Sequence, residues 1–211
     1  RGWITNEATL NDWIRSGKIC FGLDETFVPT VKSYLAEHEY GVPYSVFYND
    51  GRAASKRLAK LLDEKVFENP KDEEIIQRLI QFCNTNEADI VLDFFSGSAT
   101  TAHAVFLANA QQQKNRKFIL VQLPEEIDPS KSASEKAKKV AQSAVNLLDR
   151  LGLPHNICEI GKERIRRAGR KIKEEAGLTA QNLDIGFRVL RLDSSNRDRP
   201  GFCVNLQTEI G

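Results

Sequence analysis

The segment Asp93-Phe94-Phe95-Ser96-Gly97-Ser98-Ala99-Thr100-Thr101 holds the residue types that a ligand-binding turn between a strand and a helix requires. Glycine lets backbone approach a ligand closely. The N–H groups around Ser98 to Thr101 would open a helix, at the positive end of its dipole, and suit an anionic or polar group. Asp93, at the strand end, could accept hydrogen bonds from a ligand amine or hydroxyl. On residue types alone the same segment reads equally well as a tight turn capped by Ser98 or Thr100. It lacks the three glycines of a dinucleotide fingerprint, and no Gly-Lys-Ser/Thr follows to make a phosphate-binding loop. A nucleotide-binding oxidoreductase is therefore disfavoured.

The remaining reactive side chains form no recognisable constellation. His38, His103 and His155 have no partners at metal-ligand or triad spacing, so no metal site is expected, and His103 reads as a packed or capping residue. Cys20, Cys83, Cys158 and Cys203 are far apart, which excludes a zinc ribbon and a disulfide framework. Lys162, Arg164, Arg166, Arg167, Arg170, Lys171 and Lys173 crowd one helical stretch beside Glu163, Glu174 and Glu175. That run reads either as a phosphate-contacting face for DNA or as a solvated helix face, the second being favoured.

The elements that must position the turn are legible from periodicity. Ile90 to Phe95 and Lys117 to Leu123 have the profile of buried parallel strands. A helix from about Ala99 to Ala110 lies between them, giving one strand–helix–strand unit. Upstream, Asp72 to Asn84 carries the stripe Ile75, Ile76, Leu79, Ile80, Cys83, and Arg52 to Leu62 is a second helix. Downstream, Ser134 to Leu151 and Ile160 to Glu175 are long helices, and Gly186 to Leu192 alternates as an exposed strand. In the first 65 residues, Thr9 to Ser16 reads as a helix capped by Thr9 and Lys18 to Phe21 as a strand. Pro29 opens a short amphipathic stretch, and Ser45 to Tyr48 is strand-like. The aromatics there, Trp3, Trp13, Tyr34, Tyr40, Tyr44, Phe47 and Tyr48, could help contact DNA bases, with core packing the favoured role for most of them.

Composition is that of a soluble globular chain: 211 residues, 41% hydrophobic, 28% charged. The net charge of +1 excludes whole-chain attraction to nucleic acid or membrane, so any such patch is local. No apolar run nears the roughly 20 residues that span a bilayer, and a cytoplasmic location is expected. The chain contains no methionine and opens at Arg1, which reads as a fragment.

The segment from Asp93 through Val105, followed by Arg116-Lys117-Phe118-Ile119-Leu120-Val121-Gln122-Leu123-Pro124-Glu125, resembles the S-adenosylmethionine-binding motif of amino-methylating DNA methyltransferases. More narrowly it is similar to the modification subunit of type III restriction–modification systems. Phe67-Glu68-Asn69-Pro70-Lys71, with the helix through Leu79-Ile80, resembles the family's element just upstream of the glycine motif. Ile157 to Ile165 and Gly186 to Leu190 resemble its C-terminal region. Trp13 to Gly22, with Pro29 and Lys32 to Leu35, resembles the segment before it. The likeness runs in consistent order over nearly the whole chain.

That resemblance implies an α/β fold: a partial Rossmann-like methyltransferase sheet of parallel strands with flanking helices, preceded by a smaller α+β segment. Residues 1–65 would belong to the target-recognition or connecting region. Residues 66–211 would form the half that binds S-adenosylmethionine, through Asn69, Pro70, Lys71, Asp93, Phe95, Ser96, Gly97, Ser98, Ala99, Thr100 and Gln122. The implied partners are double-stranded DNA, a restriction subunit and a second modification subunit, with no membrane. Three positions depart from the family pattern. Ala99 stands where glycine is frequent, and its methyl is tolerable where φ is negative. Asp72 replaces a proline. Gln122 replaces an acidic residue that grips ribose hydroxyls, with Glu125 just beyond as a substitute.

In this family a D-P-P-Y-like tetrapeptide holds the target amine of a flipped adenine. No such tetrapeptide exists here, and no two prolines are adjacent. No catalytic residue is therefore assigned, and the chain alone is expected to be inactive although the parent protein would be an adenine-N6 methyltransferase. The alternative is a non-catalytic interaction or remnant module.

Overall fold

The structure, a computed structural model, describes residues 5–24, 26–34, 45–177 and 182–191, with the backbone of 209–210. The chain divides into two compact units, Arg1–Ser45 and Val46–Gly211.

In the first unit, α1 (Glu7–Arg15) is capped by Asn6, whose side chain accepts from the Thr9 N–H at 2.9 Å. The cap expected at Thr9 is thus three residues earlier, and Thr9 is its donor. Asn can turn its short amide back onto the first helical turn as well as Thr can. β1 (Ile19–Cys20) pairs antiparallel with β2 (Thr30–Val31).

The second unit opens with an irregular stretch where a strand is expected at Ser45 to Tyr48. Phe47 there stacks on Phe82 with ring centroids 6.0 Å apart, so the aromatic serves packing without a ladder. α2 (Gly51–Leu62) is capped by Asp50 and buries Ala54, Leu58 and Leu62. α3 (Glu73–Phe82) is capped by Asp72, whose side chain accepts from the Glu74 N–H. The proline replacement at position 72 therefore supplies a cap that proline cannot. β3 (Ile90–Asp93), α4 (Thr100–Gln112) and β4 (Lys117–Leu120) follow, with β3 and β4 parallel in the register Ile90–Lys117 to Asp93–Leu120. After a 3-10 turn at Pro129–Lys131 come α5 (Glu135–Leu151), capped by Ser134, and α6 (Ile157–Ala176), capped by Asn156. β5 (Arg188–Val189) pairs antiparallel with β6 (Glu209–Ile210).

α4 is the hub. Ala102, Ala104, Val105, Phe106 and Ala108 are buried on every side of it, as befits a helix apolar all round. One side meets Ile80 of α3, and another meets Ile165 and Ile172 of α6. Phe118 of β4 packs edge-on against Phe106 at 5.6 Å. Burying Phe106 alone contributes about 1.5–3 kcal/mol. A second cluster joins Leu58, Leu62 and Val66 to Ala144, Leu147 and Leu148 of α5 and Ile160 of α6. α2 therefore packs with the helices that follow it.

The strands depart from the continuous burial expected of them. Val91, Phe118 and Leu120 face α4 and its neighbours, whereas Ile90, Leu92 and Ile119 are exposed. Among the described residues no layer covers that second apolar face. The architecture is mixed α/β with a small parallel sheet and flanking helices.

Candidate functional site

β3 ends by delivering Asp93 into the turn, where both carboxylate oxygens hold the loop. Phe95 N–H donates to Oδ1 at 3.0 Å and Thr101 Oγ1 donates to Oδ2 at 2.6 Å. The Ser96 N–H reaches Val121 O at 3.2 Å, and the Ala99 N–H reaches Ser96 O at 2.7 Å. These bonds bend the chain sharply off the strand and into α4.

Two residues of the turn lie in the left-handed region, Gly97 (φ +50°) and Ala99 (φ +59°). The negative φ under which the Ala99 methyl is easily tolerated is not what the structure shows. A non-glycine residue there carries a cost of about 1–2 kcal/mol. Ala99 stands at the N-cap of α4 and has no polar side chain, so no side chain caps that helix. The residues of that first turn, Thr100, Thr101 and Ala102, are themselves buried.

The loop is anchored from three directions. From β4, Gln122 Oε1 accepts the Gly97 N–H at 2.7 Å while Gln122 Nε2 donates to Leu123 O at 3.2 Å. From the turn before α3, the Phe67 ring edge lies 3.6 Å from where a Gly97 side chain would begin. From α6, Gly161 faces the loop so closely that an added Cβ would sit 3.4 Å from both Gly97 O and the Ala99 methyl.

Arg164 of α6 completes the support. Its guanidinium is 1% exposed. Nη1 donates to Ser98 Oγ at 2.9 Å and Thr100 Oγ1 at 2.8 Å, and makes a longer contact of 3.4 Å to Ser98 O. Nη2 reaches Glu73 Oε2 at 3.3 Å and His103 Nδ1 at 3.4 Å. Glu73, at the start of α3, is buried too and also takes Arg57 Nε at 2.5 Å. Burial pulls the Arg164 guanidinium down to about 10, which leaves it charged at neutral pH, with Glu73 opposing the shift and Arg57 adding to it. His103 is pushed down to about 3, first by desolvation and then by the Arg164, Lys171 and Arg57 cations.

The structure thus brings Asp93, Ser96, Gly97, Ser98, Ala99, Thr100 and Gln122 together at one strand end. The upstream element lies alongside through Phe67 and Glu73; Pro70 is buried, while Asn69 and Lys71 are exposed. The Phe95 ring is 92% exposed, an apolar surface beside the turn. The arrangement can offer backbone donors to an anionic group and an aromatic face to a planar one. Among the described residues no cluster could hold a metal ion. His38 and Cys203 lie outside them, and His155 pairs with Asp149 at 2.6 Å on the surface.

Neither reading of the charged run on α6 holds for all of it. Glu159, Glu163 and Arg164 are buried. Lys162 pairs with Glu159, and Arg167 with Glu163 and Asp63. Arg166 lies over the Phe187 ring. The signal for Arg164 was available: it shares the i, i+3, i+4 stripe of Ile160, Gly161, Ile165 and Ala168, which turns into the core.

A family model described as DNA methylase, of the N6/N4 methyltransferase type, matches residues 26–131. The chain belongs to this family. It is 30% identical over 194 residues to the type III restriction-modification enzyme StyLTI Mod subunit of Salmonella typhimurium, covering 90% of this chain and 27% of that one. It is 34% identical over 186 residues to the EcoP15I Mod subunit of Escherichia coli, covering 87% and 24%. The type II methyltransferase M.KpnI of Klebsiella pneumoniae is 31% identical over 126 residues, 58% of this chain and 29% of that one. The chain spans about a quarter of the length of these Mod subunits. The family expected from the glycine motif and its neighbours is the one the comparisons return. No helix among the described residues is long and apolar enough to cross a membrane.

Proposed function

We propose that this chain is the cofactor-binding, C-terminal portion of a site-specific DNA adenine-N6 methyltransferase of a type III restriction–modification system. S-adenosylmethionine is the methyl donor and double-stranded DNA the substrate. A restriction subunit and a second modification subunit are the protein partners. Residues 66–211 hold the cofactor and residues 1–65 belong to target recognition. The parallel pair β3–β4, with α4 between them in sequence, is one unit of a Rossmann-like sheet that further strands extend at its edges and helices cover on its open face in the parent protein.

The observation that carries the reading is the turn from Asp93 to Thr101, prebuilt and left uncapped at the strand end. Its donor set fits the cofactor. The first-turn N–H groups of α4 suit a carboxylate, the exposed Phe95 ring suits a purine, and Gln122 or Glu125 suits ribose hydroxyls. Asn69, Pro70 and Lys71 complete the set of residues assigned to the cofactor. Bound there, S-adenosylmethionine supplies an electrophilic methyl group. The chain's own part is to orient that group, since positioning carries most of the catalysis in such a transfer. No residue here matches the tetrapeptide that holds the acceptor amine, so this chain alone transfers no methyl group.

The reading is tested by ultraviolet crosslinking of S-adenosylmethionine labelled in its methyl group, followed by peptide mapping. Label on the peptide containing residues 93–101, with no methyl transfer to DNA by the chain alone, is the expected result. Absence of label favours the interaction-module alternative. Robust transfer to adenine contradicts the assignment of no catalytic residue.

A further inference from the structure

Arg164 is an expensive residue to bury. One nitrogen, Nε, is buried with no hydrogen-bond partner. Replacing a whole buried ion pair by apolar side chains of similar volume is often neutral or stabilising, so a buried pair is weak evidence for stability. A guanidinium kept under those terms calls for a purpose other than stability. Its contacts supply one. Nη1 faces the two hydroxyls that bracket Ala99 and reaches the Ser98 carbonyl, while Nη2 is held by Glu73 of α3.

We propose that Arg164 is the positioning residue of the cofactor loop, fixing the strained Ser98-Ala99-Thr100 turn with Ala99 in the left-handed conformation at the start of α4. The inference rests on the cofactor-binding reading above. Ala99 prefers to leave the left-handed region, and its neighbours must oppose that preference. Ser98 and Thr100 both accept from the single nitrogen Nη1, which fixes their separation, while the planar guanidinium ties that nitrogen to Nη2 and so to Glu73. The fork itself cannot drift, because Glu73 is tied to Arg57 by a second bond of 2.5 Å. The chain Arg57–Glu73–Arg164–Ser98/Thr100 therefore couples α2, α3 and α6 to the loop.

The test compares the full chain with Arg164→Met and Arg164→Lys. The methionine variant keeps the volume. It leaves Glu73 paired with Arg57, and Ser98 Oγ already lies 3.5 Å from Thr100 Oγ1. Amide hydrogen exchange over residues 96–101 is expected to speed at least tenfold more than exchange of the α5 core amides in a folded Arg164→Met protein. The S-adenosylmethionine Kd is expected to rise at least tenfold. Arg164→Lys, with one ammonium and no fork, should recover part of both effects. Unchanged loop exchange in a folded Arg164→Met protein overturns the proposal. A wild-type chain that binds no cofactor instead sinks the cofactor reading, while the exchange measurement still judges Arg164. If Arg164→Met does not fold, Thr100→Val removes one acceptor and keeps the shape. It should then speed exchange in the same segment, and failure to do so also overturns the proposal.

Discussion

Gln122 reaches across from the end of β4 to accept the Gly97 N–H at 2.7 Å, tying together two residues that lie 25 apart in the chain. A carboxamide oxygen here satisfies the one glycine N–H that the turn leaves without a backbone carbonyl. Gln122→Ala should cost about 1 kcal/mol, the usual loss when a hydrogen bond is removed and its donor left unmet. Gln122→Glu keeps an acceptor in place and should lose less. Chemical denaturation of the two variants checks the order.

His103 gives the fold a pH dependence. Arg164 donates to its Nδ1 at 3.4 Å, which requires a neutral ring. The unfolded chain takes up a proton near the ordinary value of 6.5, whereas the folded chain does so only near 3. Between those values the unfolded state holds more protons. Stability is thus fully present above 6.5 and is lost as pH falls, by up to about 1.4 kcal/mol per unit. His103→Asn, whose Oδ1 replaces the acceptor, should flatten that slope in urea titrations between about pH 4 and pH 7.

Ala99 separates two opposing terms. Ala99→Gly relieves about 1–2 kcal/mol of left-handed strain. It also gives up a buried methyl, about 0.8 kcal/mol, and adds backbone freedom to the unfolded chain. The net change should lie within about 1 kcal/mol of zero by those terms. Ala99→Val has no such compensation, because a branched side chain at positive φ is a steric outlier and must press on Gly161. It should destabilise by at least about 2 kcal/mol. Thermal unfolding distinguishes the pair.

The open sheet face predicts association. Leu92 and Ile119 are exposed on adjacent strands in direct register. Leu92→Thr with Ile119→Thr keeps strand propensity and should change stability by less than about 0.5 kcal/mol per site. Sedimentation velocity should show less self-association than in the wild type. A large loss of stability would mean that the face is covered.

Much of this was readable in the residues. α5 was legible because Ser134 marks its start, Gly152 its end, and Val140, Ala144, Leu147 and Leu148 keep helical spacing between. β3 and β4 were legible as a parallel pair, but their burial was not. An apolar run looks the same whether its second face is covered by this chain or by none of it. Asp72 looked like a departure and proved to be a cap, because capping depends on where the helix begins. Arg164 was obscured by composition: among so many cations, only its phase on the helix sets it apart. The positive φ of Ala99 leaves no trace in residue type, since alanine normally avoids it.

The central claim is that the loop from Asp93 to Thr101 binds S-adenosylmethionine. Isothermal titration of the chain with the cofactor at millimolar concentration tests it most directly, with Asp93→Ala as the control. Asp93 holds the turn through Phe95 and Thr101, so its loss should release the loop while the α4 core keeps the fold. The account predicts weak but measurable heat for the wild type and none for a folded Asp93→Ala. No response from the wild type, or an equal response from both, would contradict it.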